Sequence, residues 1–141
     1  MNDIAPDSVP ARLAFVVGRI NRHLAPATGG LSHGLLSALA SVAKRGPMRL
    51  ADLAQVEMVS APSITRVVAE LEYRKLVSRR IDEVDRRAFR IQVTDAGTEA
   101  ILRARAARSR VVAELFTELG PDEIDSIEAA LPALERMIGQ V

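Results

Sequence analysis

Two short runs of this chain hold residue types able to grip a polyanion and read it. Ser60, Ala61, Pro62, Ser63, Thr65 and Arg66 open one apolar-periodic segment, and Asp85, Arg86 and Arg87 sit between two alternating ones. Hydroxyls and the free amides of a helix N-terminus bind phosphate oxygens, and an arginine on the first turns of that helix can pair with a base edge. Ser60 has a rival role as the N-cap that satisfies the helix's own amides, and both readings stay open. Ala61 and Pro62 have little hydrogen-bonding chemistry, but their small apolar surfaces suit thymine methyls or sugars. Arg86, near the tip of its hairpin, has the reach for a narrow, electronegative minor groove, and Asp85 is expected to orient a neighbouring arginine. A run of charges by itself is ordinarily a solvated surface. The helix pair preceding this one favours the DNA reading.

Other chemistries have less to stand on. The chain has no cysteine, which excludes disulfides, thiol redox sensing, a cysteine nucleophile and thiolate zinc sites, and fits a reducing compartment. His23 and His33 are the only histidines, too few for the converging ligands of a metal site, so no metal and no cofactor are expected. The serines lie beside caps and turns, with no nucleophile elbow or phosphate loop among them, and no enzyme is expected. Arg19 and His23 stand four residues apart on the first predicted helix. With Phe15 and His33 they form a candidate effector site, where a guanidinium one turn from an imidazole offers a small aromatic or phenolic carboxylate a charge-assisted partner. Arg87 would close it from the wing side. The plainer reading of Arg19 and His23 is the polar end of a surface helix.

The net charge of +1 hides an asymmetry. Residues 1–43 carry three Arg against two Asp, residues 44–90 eleven Lys/Arg against seven acids, and residues 91–141 five Arg against nine acids. The basic excess therefore falls on the segment that holds both candidate runs. The opening residues contain two acids and no basic stretch, and no apolar run approaches the ~18 residues of a membrane span. Neither export nor membrane insertion is expected, and a cytoplasmic location is.

The elements that must position these residues follow from periodicity. Val9, Leu13, Val16, Val17, Ile20 and Leu24 mark one face of a helix, broken by Pro26 and Gly29-Gly30. Ser32 caps a second helix that reaches about Lys44 and stops at Gly46-Pro47. A short helix from about Leu50 to Val56, a link Glu57-Met58-Val59 and a fourth helix opened by Ser60 match a helix-turn-helix, with Pro62 in a first turn where a missing N–H costs little. From Val77 the period becomes two: Val77–Asp82 and Phe89–Val93 read as paired strands around a polar tip at residues 83–88. Of Arg79 and Arg80, one should point across the sheet and the other toward solvent or a phosphate. Thr94 caps a long helix to about Leu119, and Gly120-Pro121 opens a last one that Pro132 should kink or interrupt.

The run from Leu50 to Gly97 resembles the MarR (multiple antibiotic resistance regulator) family of winged-helix repressors. The match rests on Ser60-Ala-Pro-Ser-Ile-Thr-Arg66, Asp82-Glu-Val-Asp-Arg-Arg-Ala88 and Val93-Thr-Asp-Ala-Gly97, in that order and spacing. One departure is Lys75, where members commonly have Gly; only Gly adopts a left-handed cap freely, so the helix end is either strained by about 1 kcal/mol or remodelled. The resemblance implies a homodimer with interlocking terminal helices and often a small-molecule pocket between the dimer frame and the DNA-binding lobes.

The expected fold is mainly α with a small β wing, as one domain over residues 1–141. A winged helix-turn-helix lobe covers about 32–93, and dimerisation helices cover about 8–25 and 94–141. The Val9–Leu24 stripe and the apolar positions Ile101, Val111, Val112, Leu115, Phe116, Ile127, Leu131, Leu134 and Ile138 exceed what one small lobe needs and should meet a partner subunit. The expected function is a regulator, a repressor released from a pseudo-palindromic double-stranded operator by the aromatic effector. The alternatives are a constitutive DNA-binding dimer and a winged-helix protein-interaction module.

Overall fold

The computed structural model of the chain describes residues 5–139. Their elements run α1 (Val9–Leu24), α2 (His33–Arg45), α3 (Leu50–Glu57), α4 (Ala61–Tyr73), β1 (Val77–Ile81), β2 (Phe89–Val93), α5 (Asp95–Phe116) and α6 (Pro121–Ile138). The last two positions of the expected terminal segment 94–141 lie outside the described residues.

Local capping sets most boundaries. Ser8, Ser32, Ser60 and Thr94 each accept a backbone N–H three residues on, at 3.4, 3.3, 3.3 and 3.1 Å, which satisfies one orphan amide per helix. Gly46, with φ 76°, ends α2. Helix α3 ends on Met58 in the left-handed conformation, φ 53°, with the Val59 N–H bonded to the Ala54 carbonyl at 3.0 Å. Glu57 stays helical, so the tight link runs one residue later than expected, over residues 58–60.

Lys75 repeats this geometry after α4. Its φ is 59°, its N–H bonds the Glu72 carbonyl at 2.9 Å, and the Leu76 N–H reaches back to Leu71 at 2.9 Å. The chain therefore keeps the left-handed cap and holds a lysine in it.

β1 and β2 pair antiparallel, with Val77 opposite Val93 and Ile81 opposite Phe89. Met48 exchanges both backbone hydrogen bonds with Ile91, at 3.0 and 2.7 Å, so the segment leading into α3 is stitched to the sheet. One continuous core unites the lobe: Leu39 and Val42 of α2, Leu53 of α3, Ile64 and Leu71 of α4 and Ile91 of β2 are all buried. Ala100, Ile101 and Ala104 of α5 close it, so Ile101 belongs to the lobe's own core and not to the surplus expected to face a partner.

The two outer helices behave differently. No residue of α1 or α6 is buried. Helix α5 ends at Phe116, short of Leu119, and Gly120 opens α6 with its N–H on the Glu123 carboxylate at 2.9 Å. Pro132 does not interrupt α6, which runs on to Ile138. The carbonyl that Pro132 leaves unpaired belongs to Glu128, four residues earlier on an exposed helix, where water can satisfy it. No helix among the described residues is long and apolar enough to cross a membrane.

Candidate nucleic-acid interface

Helix α4 turns Ile64, Val68 and Leu71 into the core, and the 3.6-residue period then presents Ala61, Pro62, Ser63, Thr65 and Arg66 to solvent. The N-cap role of Ser60 is realised: its hydroxyl accepts the Ser63 N–H and donates to the Ser63 hydroxyl at 2.9 Å. It remains exposed, so capping and a phosphate contact are compatible. The Thr65 hydroxyl donates to the Ala61 carbonyl at 2.8 Å. Arg66 has neither a salt bridge nor a hydrogen-bond partner among the described residues.

Arg86 and Arg87 occupy an exposed turn at the wing tip. Asp85 was expected to orient an arginine side chain; instead its carboxylate accepts the backbone N–H of Arg87 at 3.1 Å and shapes the turn. The carboxylate that pairs with arginines is Asp82, which is wholly buried. One of its oxygens accepts from Nε of both Arg49, at 3.0 Å, and Arg90, at 2.9 Å; the other takes the N–H groups of Val84 and Asp85 at 2.9 and 3.1 Å. The Arg49 hydrogen bond, with the two amides and Arg90, holds the Asp82 carboxyl well below the usual carboxylate range despite the opposing cost of burial. Asp82 in turn raises the pKa of Arg49. Since Arg49 is the N-cap residue of α3 and Arg90 also donates to the Pro47 carbonyl at 3.2 Å, this cluster fastens the wing to the start of the helix-turn-helix.

Sequence reasoning placed Asp82 in a motif and missed this role. The spacing of an Asp to amides two and three residues on signals an Asx-type turn, but Arg49, 33 positions upstream, carries no local signal.

Arg79 and Arg80 diverge as expected. Arg79 forms a two-pronged pair with Glu72, at 2.5 and 2.9 Å, and its guanidinium lies 4.1 Å from the centre of the Phe89 ring. Glu72 raises its pKa, and the arginine, though exposed, is committed to a partner of its own lobe. Arg80 pairs with Glu83 on the exposed side of the strand.

The candidate effector residues are not gathered into a cavity of the single chain. Phe15, Arg19, His23 and His33 are all exposed, and the one contact found among them is the Arg19 guanidinium over the Phe15 ring at 5.9 Å. A cavity of about 560 Å³ lies instead between α2 and α5, bounded by Ser37, Ser41, Lys44, Arg45, Leu102 and Arg105 among others. A second, of about 260 Å³, lies under the wing beside Pro47, Ile81, Val84 and Arg90. Neither is lined by the four residues, and Arg87 closes neither, because it sits on the outer turn of the wing. Among the described residues, no group of three or more His, Asp or Glu is placed to hold a metal.

A family model described as the MarR family matches residues 31–89, from two residues before α2 to the first residue of β2. The chain is 32% identical over 130 residues to an uncharacterized HTH-type transcriptional regulator, Mb0904, of Mycobacterium bovis, covering 91% of each. Its fold is similar to that of the YusO protein of Bacillus subtilis, with a TM-score of 0.74, 22% identity and coverage of 89% of this chain and 91% of that one. It is similar too to a mutant of MepR from Staphylococcus aureus bound to an oligodeoxyribonucleotide, with a TM-score of 0.71, 15% identity and coverage of 94% and 99%.

Proposed function

The chain belongs to the MarR family of DNA-binding transcriptional regulators, and we propose that it acts as a homodimeric, cytoplasmic repressor released from a pseudo-palindromic operator by a small aromatic or phenolic carboxylate. The observation that carries this reading is the unpaired Arg66 on the exposed face of α4, in the same lobe as the exposed wing arginines Arg86 and Arg87. A helix of α4's length fits a major groove while a wing tip reaches the neighbouring minor groove. Contacts from Ser60, Ala61, Pro62, Ser63 and Thr65 complete the groove face, and Asp85 shapes the turn that presents the wing arginines. The fold neighbour crystallised on an oligodeoxyribonucleotide supports a nucleic-acid partner.

The dimer follows from apolar surface. Phe15, Val16, Val17 and Ile20 on α1 and Leu131, Met137 and Ile138 on α6 are exposed in the single chain, a cost that a two-fold partner removes. Two recognition helices then face half-sites about 10 base pairs apart.

For the effector, the cavity between α2 and α5 offers Lys44, Arg45 and Arg105 to a carboxylate and Ile101 and Leu102 to a ring. Phe15, Arg19, His23 and His33 contribute only where a second subunit closes over α1. A dimer without an effector is the second reading, favoured by the exposure of those four residues in the chain.

Mobility shifts on the DNA upstream of its own gene test the proposal. Arg66→Ala should weaken specific binding by about 1–3 kcal/mol with relaxed base preference, and Arg86→Ala should lower the salt slope. Salicylate titration should release the DNA. Binding without release leaves the constitutive dimer, and no binding to any duplex rejects the regulator.

A further inference from the structure

The chemistry left free on α4 specifies which bases it can read. Pro62, Arg66 and Ala69 form the line diametrically opposite the buried Ile64, Val68 and Leu71, flanked by Thr65. Seven residues at 1.5 Å per residue place Ala69 about 10 Å beyond Pro62, within the ~12 Å width of a major groove and about three base-pair steps. Tyr73, a further turn on, lies outside that width.

Helix α4 carries three charged side chains, and two are already engaged. Glu70 pairs with Arg74 at 2.6 Å through one oxygen and Glu72 with Arg79 through both, so a cytosine amino group would compete with an arginine at either carboxylate. The helix contains no Asn or Gln, the side chains that pair with adenine. The Thr65 hydroxyl hydrogen is spent on the Ala61 carbonyl, which leaves its methyl as the free group. Among the described residues Arg66 is the one charged group of α4 without a partner, and Pro62, the Thr65 methyl and Ala69 give its line an apolar surface, with the Ser60 and Ser63 hydroxyls confined to the first turn.

We infer that each α4 reads a half-site of one guanine, held by Arg66 through O6 and N7, beside thymines whose methyls pack on Pro62, Thr65 and Ala69. This rests on the reading of α4 as a DNA-recognition helix and adds its base specificity. A guanidinium matches the two acceptors of guanine, and the thymine methyl is the one major-groove feature that an apolar surface rewards.

The test selects binding sites for the full-length protein from a random duplex library, then alters single groups in the selected site. Half-sites should share one guanine within three base pairs of thymines. Replacing each such thymine by deoxyuracil removes only the methyl and should cost about fourfold in Kd. Replacing the guanine by 7-deazaguanine removes N7 and should cost about fivefold or more for the wild type, and less than twofold for Arg66→Ala, which should keep the uracil penalty. Sites without shared thymines, a uracil effect within twofold, or an equal 7-deazaguanine penalty in Arg66→Ala would each overturn the inference while leaving the DNA-binding reading intact. No enrichment of any sequence would sink both.

Discussion

At the scale of single residues, Lys75 and Asp82 hold a conformation and a charge that cost something locally. Lys75 sits at φ 59°, a region that crowds any Cβ, because the last carbonyls of α4 need the N–H groups of Lys75 and Leu76. Lys75→Gly should therefore stabilise the protein by about 1 kcal/mol, a gain moderated by the extra freedom of glycine in the unfolded chain. Urea titration at fixed protein concentration would show a higher midpoint with unchanged slope; a lower midpoint would mean the lysine relieves strain through contacts of its own. Asp82 carries the opposite kind of cost, a buried charge matched by two guanidinium groups and two amides. Its folded pKa lies below the unfolded value of about 3.9, so its contribution is complete above about pH 4 and is lost as pH falls from there toward the folded value. Asp82→Asn should lower stability at neutral pH and flatten the acid limb of the stability curve below about pH 4. An acid limb unchanged from the wild type would place that titration on other carboxylates.

At the scale of elements, the wing depends on a close approach at the head of α5. A Cβ on Gly97 would fall 2.1 Å from the Leu76 carbonyl oxygen and 2.8 Å from Val93 Cγ2. The backbone oxygen cannot swing aside, since β1 begins one residue later and the Thr94 N–H is bonded to that same oxygen at 3.1 Å. Gly97→Ala should thus cost at least the upper end of the about 1–3 kcal/mol usual for overpacking, and separate α5 from the strand pair. Thermal melts would register the loss, and a variant within 0.5 kcal/mol of wild type, a figure of about the size of neutral surface changes, would show that α5 can shift to make room. The same junction links the lobe to the outer helices, because α5 begins in the lobe's core and ends beside helices that bury nothing of their own.

At the scale of the whole molecule, α1 and α6 leave apolar residues exposed that the proposed homodimer would cover, and the charge follows the same division. The lobe from residue 44 to residue 90 is basic, while the segment from residue 91 onward, which holds α5 and α6, is acidic. Acidic surface away from the lobes would orient a dimer with its wings toward DNA. Placing a charge on α1, as in Val17→Glu, should dissociate the proposed dimer in sedimentation equilibrium. Operator affinity should fall well beyond what one altered contact explains, because two half-sites are no longer joined. The slope of log Kobs against log salt should fall toward half its value, each lobe then neutralising only its own phosphates. A folded monomer that binds the operator with full affinity would remove the dimer from the mechanism.

How much of this was legible beforehand depends on how far each interaction reaches along the chain. The capping residues Ser32, Ser60 and Thr94, the apolar rhythm of α1 and α4 and the change to period two at Val77 are events within about four residues, and they set the elements almost to the residue. The outward direction of Pro62, Thr65 and Arg66 follows from that rhythm alone. Everything that joins one element to another had to wait for the fold. Nothing near Asp82 announces Arg49, nothing near Arg79 announces Glu72 as its partner, and the surplus apolar residues do not say that Ile101 turns inward while Phe15 stays exposed. Even the strain at Lys75 required the tertiary structure, because a helix end can unwind unless the next strand holds it, and here Thr94, capping α5, bonds the Lys75 carbonyl at 2.7 Å. Periodicity and caps are written locally because backbone hydrogen bonds are short in sequence. Charge pairing, cavities and strain are set by distances in space, which only the packed core decides.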